Sequence, residues 1–391
     1  MRQFYKKSFT IMAQNLDRPF IFGVKVEGDN FTDRVEETKT LLMNFNYGVN
    51  TILISPRRMG KTSLVEKVRT KVDGSKVKVA HIDAFGLRSE IDFVNAFATA
   101  VVKATSSKWE EWLENAKVFL SRFVPKISLG QDPLSDFSIS LEYNPANNTT
   151  EEVLLLPELI AKNKGYRIVI CIDEFQQIGE FSDSLTFQKK LRSVWQMQQN
   201  VSYCLYGSKK HMMERIFLNK SYPFYRFGDI IYLGKISEED WTKYIQERFS
   251  LTGKAISTEL AREICKLTER YSSYVQQLAW FVWLRCEVEA TSSDLSFAVN
   301  RLLDSQEALF IQQTESLSDY QMNFLRAIVD GIHTGFTKKT VLENNRLGTS
   351  ANIVRIKNAL KEKDLIETVA PQTIDMSDPI LKLWMKRRIW K

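Results

Sequence analysis

The most restrictive feature of the sequence is an abrupt change of character at Ser55. Thr51-Ile-Leu-Ile54 is a short apolar run. It leads into Ser55-Pro56-Arg57-Arg58-Met59-Gly60-Lys61-Thr62, and an amphipathic stretch continues to about Val72. A strand that turns directly into a helix gathers unpaired backbone N–H groups and the positive end of the helix dipole at one point, which is what a phosphate group requires. The stretch matches the P-loop pattern G-x-x-x-x-G-K-[ST], with serine in place of the first glycine. A Gly-Lys-Ser/Thr triplet alone arises by chance about 0.2 times in a chain of this size, so the weight rests on the flanking strand and helix. In that setting the backbone around Arg58 to Lys61 is expected to surround phosphates. Lys61 reaches their β and γ oxygens, and the Thr62 hydroxyl holds Mg2+. The residues expected to bind ATP are Ser55, Pro56, Arg57, Arg58, Met59, Gly60, Lys61, Thr62 and Ser63.

A second signal lies roughly 110 residues further on, where Ile168-Val-Ile-Cys-Ile172 ends in Asp173-Glu174. Two acids after a strand are commonly a helix N-terminal signal. Paired with a P-loop on an adjacent parallel strand, they read as a Walker B motif. Asp173 then holds the metal through water, and Glu174 orients or deprotonates the attacking water. Val201 to Tyr206 is another apolar strand, ending in Gly207-Ser208. As a polar residue at the tip of a strand between the two Walker strands, Ser208 is a candidate to sense the γ-phosphate or the water; the alternative is a serine that caps the next helix.

Around these motifs the chain alternates apolar strands (51–55, 77–83, 167–173, 201–206, 230–233) with helices (62–72, 90–105, 151–163, 185–199), a pattern that predicts a parallel sheet covered on both faces. Residues 126–129 and 137–142 alternate and are expected to form a hairpin around Asp132-Pro133, followed by a loop over 144–150. After Ser237 the spacing turns helical over 238–251, 258–271, 274–288 and 295–312. Helices over 319–330, 338–344 and 350–361, then paired strands 365–369 and 373–376 and a closing helix 379–390, follow the order of a winged helix-turn-helix. The expected fold is therefore α/β, with an AAA+-like P-loop core (1–236), a helical lid (237–313) and a winged-helix domain (314–391).

Charge and cysteine usage narrow the partners. The net charge of +7 permits nucleic-acid contact without requiring it. From Gln313 onward 13 Lys and Arg face 9 Asp and Glu, and the helix over 350–361 would expose Arg355, Asn358 and Glu362, a mixed set for a phosphate backbone. Cys171, Cys204, Cys265 and Cys286 form no C-x-x-C pair, and the three histidines (His81, His211, His333) are scattered, so a zinc site is not expected. Trp280, Phe281 and Trp283 are expected in the core. Residues 1–14 lack the apolar stretch of a signal peptide, and there is no run long enough for a membrane span, so a cytoplasmic protein is expected.

The strings Pro-Arg-Arg-x-Gly-Lys-Thr-Ser-Leu, Ile-Asp-Glu-Phe-Gln and Tyr222-Pro-Phe-Tyr-Arg226 resemble the archaeal-type ATPase family, STAND-class P-loop ATPases related to AAA+ and replication-initiator ATPases. Phe31-Thr-Asp-Arg34-Val-Glu-Glu37 resembles the opening motif of that family and Asp378-Pro379-Ile-Leu-Lys-Leu-Trp384 its end, so the resemblance runs from about Phe20 to the C-terminus. It implies ATP hydrolysis assisted by Lys61, Glu174, Ser208 and Arg226, with Arg226 near the γ-phosphate; the alternative for Arg226 is an ion pair with Asp229. Two departures stand out besides Ser55: Arg226 directly follows Tyr225, and the stretch Tyr271–Gln277 lacks the family's proline. The expected function is a slowly hydrolysing STAND/AAA+-like switch acting on a protein partner. An ATP-dependent DNA-binding protein of initiator or mobile-element-helper type, and a regulator with negligible turnover, are the alternatives.

Overall fold

A computed structural model describes residues 18–26, 28–106, 125–128, 138–141 and 149–390. The readings of residues 1–14, of the Asp132-Pro133 turn and of the loop at 144–148 lie outside them. The chain divides into two compact units. The first holds Arg34–Arg57 and Lys61–Gly234; the second holds the residues before Arg34, Arg58–Gly60 and those from Lys235 onward.

The first unit is built on strands β1 (Thr51–Ile54), β2 (Val77–Asp83), β5 (Arg167–Asp173), β6 (Val201–Gly207) and β7 (Asp229–Tyr232). They form one parallel sheet in the order β2-β5-β6-β1-β7. Helices α1 (Val35–Tyr47), α2 (Lys61–Lys71), α3 (Glu90–Thr105), α4 (Thr149–Lys164), α5 (Ser184–Trp195) and α6 (Lys210–Leu218) surround it. The P-loop strand and the Asp-Glu strand are not adjacent; β6 lies between β1 and β5, where the reading of Ser208 puts it. All seven residues of β6 are buried, and so are the five central residues of β5, so both faces of these strands are covered. The core gathers Phe93, Phe97, Ile170, Ile172, Phe175, Trp195 and Tyr203, with the rings of Trp195 and Tyr203 stacked at 3.9 Å. Strands β3 (Pro125–Ser128) and β4 (Ser138–Leu141) pair antiparallel, as the alternation predicts.

In the second unit, α7 (Glu238–Ser250), α8 (Thr258–Leu267), α9 (Ser272–Arg285) and α10 (Ser292–Thr314) follow one another. The starts of α7, α8 and α10 are marked by side-chain caps: Ser237 on Asp240 N, Ser257 on Leu260 N, and a reciprocal capping box between Thr291 and Asp294. Helix α8 ends short of the expected Tyr271, because Glu269 and Arg270 take left-handed backbone angles (φ 46° and 60°). Then come α11 (Asp319–Val329), α12 (Lys339–Asn344), α13 (Ser350–Glu362) and the antiparallel strands β8 (Ile366–Ala370) and β9 (Thr373–Met376), the element order of a winged helix. Ile353, Ile356 and Leu360 of α13 are buried, and Arg355, Asn358 and Glu362 are exposed, as the spacing indicates. The closing helix α14 (Pro379–Trp384) is shorter than expected and passes into a π turn over Met385–Ile389. All four cysteines are buried and free. Phe281 is buried, but Trp280 and Trp283 are only half-buried, stacked on each other at 4.9 Å. Among the described residues no helix is long and apolar enough to cross a membrane.

Trp195 is 2% exposed, and its indole N–H finds no acceptor. Replacing it by alanine empties the middle of the aromatic core and is expected to cost about 3–5 kcal/mol. Trp195→Phe also removes the unpartnered N–H, which offsets part of the lost packing, and is expected to cost less than half as much. Urea unfolding followed by circular dichroism tests the ranking; equal losses would show that the indole N–H carries no penalty.

Candidate functional site

The C-terminal ends of β1, β5 and β6 share one edge of the sheet, which brings Ser55, Asp173-Glu174 and Ser208 together from three distant stretches of chain. Helix α2 begins at Lys61 immediately after the loop, so its first backbone N–H groups face the same edge.

Lys61 is 6% exposed, and its ammonium donates to Ser55 O (3.2 Å), Ser55 Oγ (3.2 Å) and Pro56 O (2.9 Å). Burial lowers its pKa to about 8; the nearby carboxylates of Glu174 and Asp173 pull it up, and Arg57 pushes it further down. Serine at the first P-loop position causes no strain. Ser55 is not among the residues with positive φ, and its hydroxyl donates to Pro56 O while accepting from Lys61. The left-handed angles fall instead on Arg58 (φ 65°) and Gly60 (φ 86°). Met59 between them is buried, and Ser63 is buried on the first turn of α2. Arg58 groups with the second unit: its guanidinium bonds the Tyr274 hydroxyl and the Asp378 carboxylate and lies 4.5 Å from the centre of the Tyr274 ring.

The Thr62 hydroxyl donates to Asp173 Oδ2 at 2.7 Å, while Asp173 Oδ1 accepts from the Glu174 backbone N–H at 2.9 Å. Burial raises the Asp173 pKa, and the Thr62 bond opposes the shift. A hydroxyl and a carboxylate side by side suit a small hard cation that takes its remaining oxygens from water and phosphate. No group of three or more His, Cys, Asp or Glu able to cage a metal occurs among the described residues.

Glu174 has a left-handed backbone (φ 51°), and three donors converge on its Oε2: Ser208 Oγ (2.8 Å), Ser208 N (3.3 Å) and Gln176 Nε2 (2.5 Å). Arg57 Nε donates to Ser208 Oγ at 3.2 Å. The hydroxyl of Ser208 is thus engaged with Glu174, and the following helix has no side-chain cap, so the capping alternative is not what the structure shows. Gln176 was not singled out by sequence reasoning. The only signal for it is its place two residues after Glu174 in the Ile-Asp-Glu-Phe-Gln string.

Arg226 does not join this group. It lies in the segment leading into β7, whose first residue, Asp229, is in register with Thr51 at the start of β1, so it belongs to the opposite end of the parallel strands from the P-loop. It is exposed, with φ 53°, its guanidinium 5.3 Å from the centre of the Tyr225 ring. Asp229 accepts from Asn44 Nδ2 at 3.0 Å, and no ion pair joins it to Arg226 among the described residues. The ion pair with Asp229 is thus not formed, and Arg226 stands apart from Lys61, Thr62, Asp173 and Glu174. Arg34 of the opening motif is buried, bonded to Glu37 and to Gly234 O.

No family model and no curated protein matches the sequence. Solved structures do resemble the fold. The Walker-type ATPase PABY2304 of Pyrococcus abyssi is 18% identical with a TM-score of 0.68, over 94% of this chain and 99% of that one. The Aeropyrum pernix ORC2 protein is 12% identical over 93% of this chain and 98% of that one, with TM-scores of 0.54 in its ADPNP–ADP complexes and 0.52 in its ADP form. At these identities the likeness is one of fold, and the chain has the fold of the P-loop, AAA+-related ATPases.

Proposed function

We propose that this chain binds ATP with Mg2+ at Ser55–Ser63 and hydrolyses it slowly, as a STAND- or AAA+-like switch acting on a protein partner. The observation that supports the reading most directly is the meeting of Thr62, on the first turn of α2, with Asp173, at the end of β5 and 111 residues further on, beside Lys61 and Glu174. In this reading the Lys61 ammonium exchanges the Ser55 and Pro56 oxygens for phosphate oxygens, losing little hydration because it is already buried. Thr62 and Asp173 would hold Mg2+, which supplies neutralisation of charge on the phosphates. Glu174, with its carboxylate fixed by Ser208 and Gln176, accepts the proton of the attacking water. Slow turnover fits the position of Arg226, which stands apart from Lys61 and Glu174.

Lys61→Ala is expected to weaken binding of a fluorescent ATP analogue in Mg2+ by about 10- to 100-fold, the worth of a charge-assisted hydrogen bond. The pH dependence provides a second check. Lys61 is charged below about 8 and neutral above it, so the affinity of the native protein should fall from about pH 7 to about pH 9. That fall should vanish in Lys61→Ala. Equal affinities for the two proteins would remove the P-loop assignment.

Glu174→Gln keeps the shape and loses the base. It is expected to bind nucleotide as before and to lose at least about 100-fold in turnover, measured as phosphate release. Unchanged hydrolysis would assign the base elsewhere.

The mixed face of Arg355, Asn358 and Glu362 favours a protein contact for the winged helix, with DNA bound weakly and without sequence preference. Arg388, part of the basic terminal cluster, is bonded to Asp304 at 2.7 Å, which reduces the charge left for a duplex. Affinity for random and genomic duplexes at two salt concentrations, with and without ATP, should fall steeply with salt and show no preferred fragment. Tight binding of one fragment at physiological salt, lost in Arg355→Ala, would instead establish the DNA-binding alternative.

A further inference from the structure

We infer that Gln176 is a positioning residue for the hydrolytic step: its amide holds the Glu174 carboxylate, and Gly207 lacks a side chain so that this amide has room. The inference rests on the assignment of Glu174 as the base. Gln176 is 2% exposed, and its Nε2 donates to Glu174 Oε2 at 2.5 Å. The opposite amide orientation would set an oxygen against a carboxylate, so the contact fixes which atom faces Glu174. The remaining amide oxygen is buried without a partner. A buried glutamine with an orphaned oxygen is a poor choice for packing alone, since methionine fills the same space without a polar atom to satisfy.

The neighbouring strand is shaped to this side chain. A Cβ on Gly207 would lie 1.7 Å from Gln176 Oε1 and 2.9 Å from its Cδ. Gly207 has no positive φ, so space and not backbone freedom accounts for glycine here. The residue after it, Ser208, supplies the other two donors to the same carboxylate oxygen. No protein donor reaches Glu174 Oε1 among the described residues, so the clamp on Oε2 leaves one oxygen to meet the water, with its direction set.

The test measures turnover and nucleotide affinity for the full chain in Mg-ATP. Gln176→Met is expected to lower kcat by about tenfold or more with nucleotide affinity unchanged. Gly207→Ala, which pushes the amide aside, should reproduce this split while leaving Gln176 in place. In single-turnover assays Gln176→Met should add nothing to Glu174→Gln, since it acts through that side chain. A native rate in Gln176→Met, with turnover lost in Glu174→Gln, would overturn this inference alone. Full turnover in Glu174→Gln would overturn the base assignment and this inference with it. A drop in kcat matched by an equal loss of nucleotide affinity would mean a merely structural role and also overturn it.

Discussion

An ammonium that is only 6% exposed loses most of its hydration, and the ends of β1, β5 and β6 are arranged around replacing it. Two carbonyls and a hydroxyl from Ser55 and Pro56 take the place of water around Lys61, and Asp173 and Glu174 supply opposing charge nearby. The same burial lowers the lysine and raises Asp173, so each is moved toward neutrality while the other restrains it. Thr62 and the Glu174 backbone N–H hold Asp173 in place. The edge is a set of charges prepared in advance, which is the condition for stabilising a reaction without moving dipoles at the moment it occurs.

That preparation depends on an unyielding platform. The strands that carry Asp173 and Ser208 are buried on both faces, and the aromatic cluster of Phe97, Phe175, Trp195 and Tyr203 fills the space beside them. Tyr203 is locked further by its hydroxyl bond to Gln198 Oε1 at 2.6 Å. Close packing of this kind resists small displacements, so the strand ends keep their spacing.

The parts legible from sequence were those with a local signature. Thr51–Ile54, the glycine-lysine turn and Ile168–Asp173 each announce themselves by an apolar run broken by a polar group, and the structure places them where a parallel sheet requires. The place of β6 between them was legible from the polar tip at Ser208, whereas the position of Arg226 at the far end of the strands had no such signature. That position depends on which strands lie side by side, a property of the assembled core. Helix ends were misjudged where left-handed residues such as Glu269 and Arg270 stop a periodic pattern that the apolar spacing alone would continue.

Ser55 shows that the two glycines of the P-loop pattern do different work. The second must reach φ 86° at Gly60, where a side chain is strained; the first occupies a position where a Cβ is tolerated and a hydroxyl earns two hydrogen bonds. A glycine at position 55 would leave the lysine with one partner fewer. A side chain is therefore compatible with the head of this loop, and a search that insists on glycine there would pass over it.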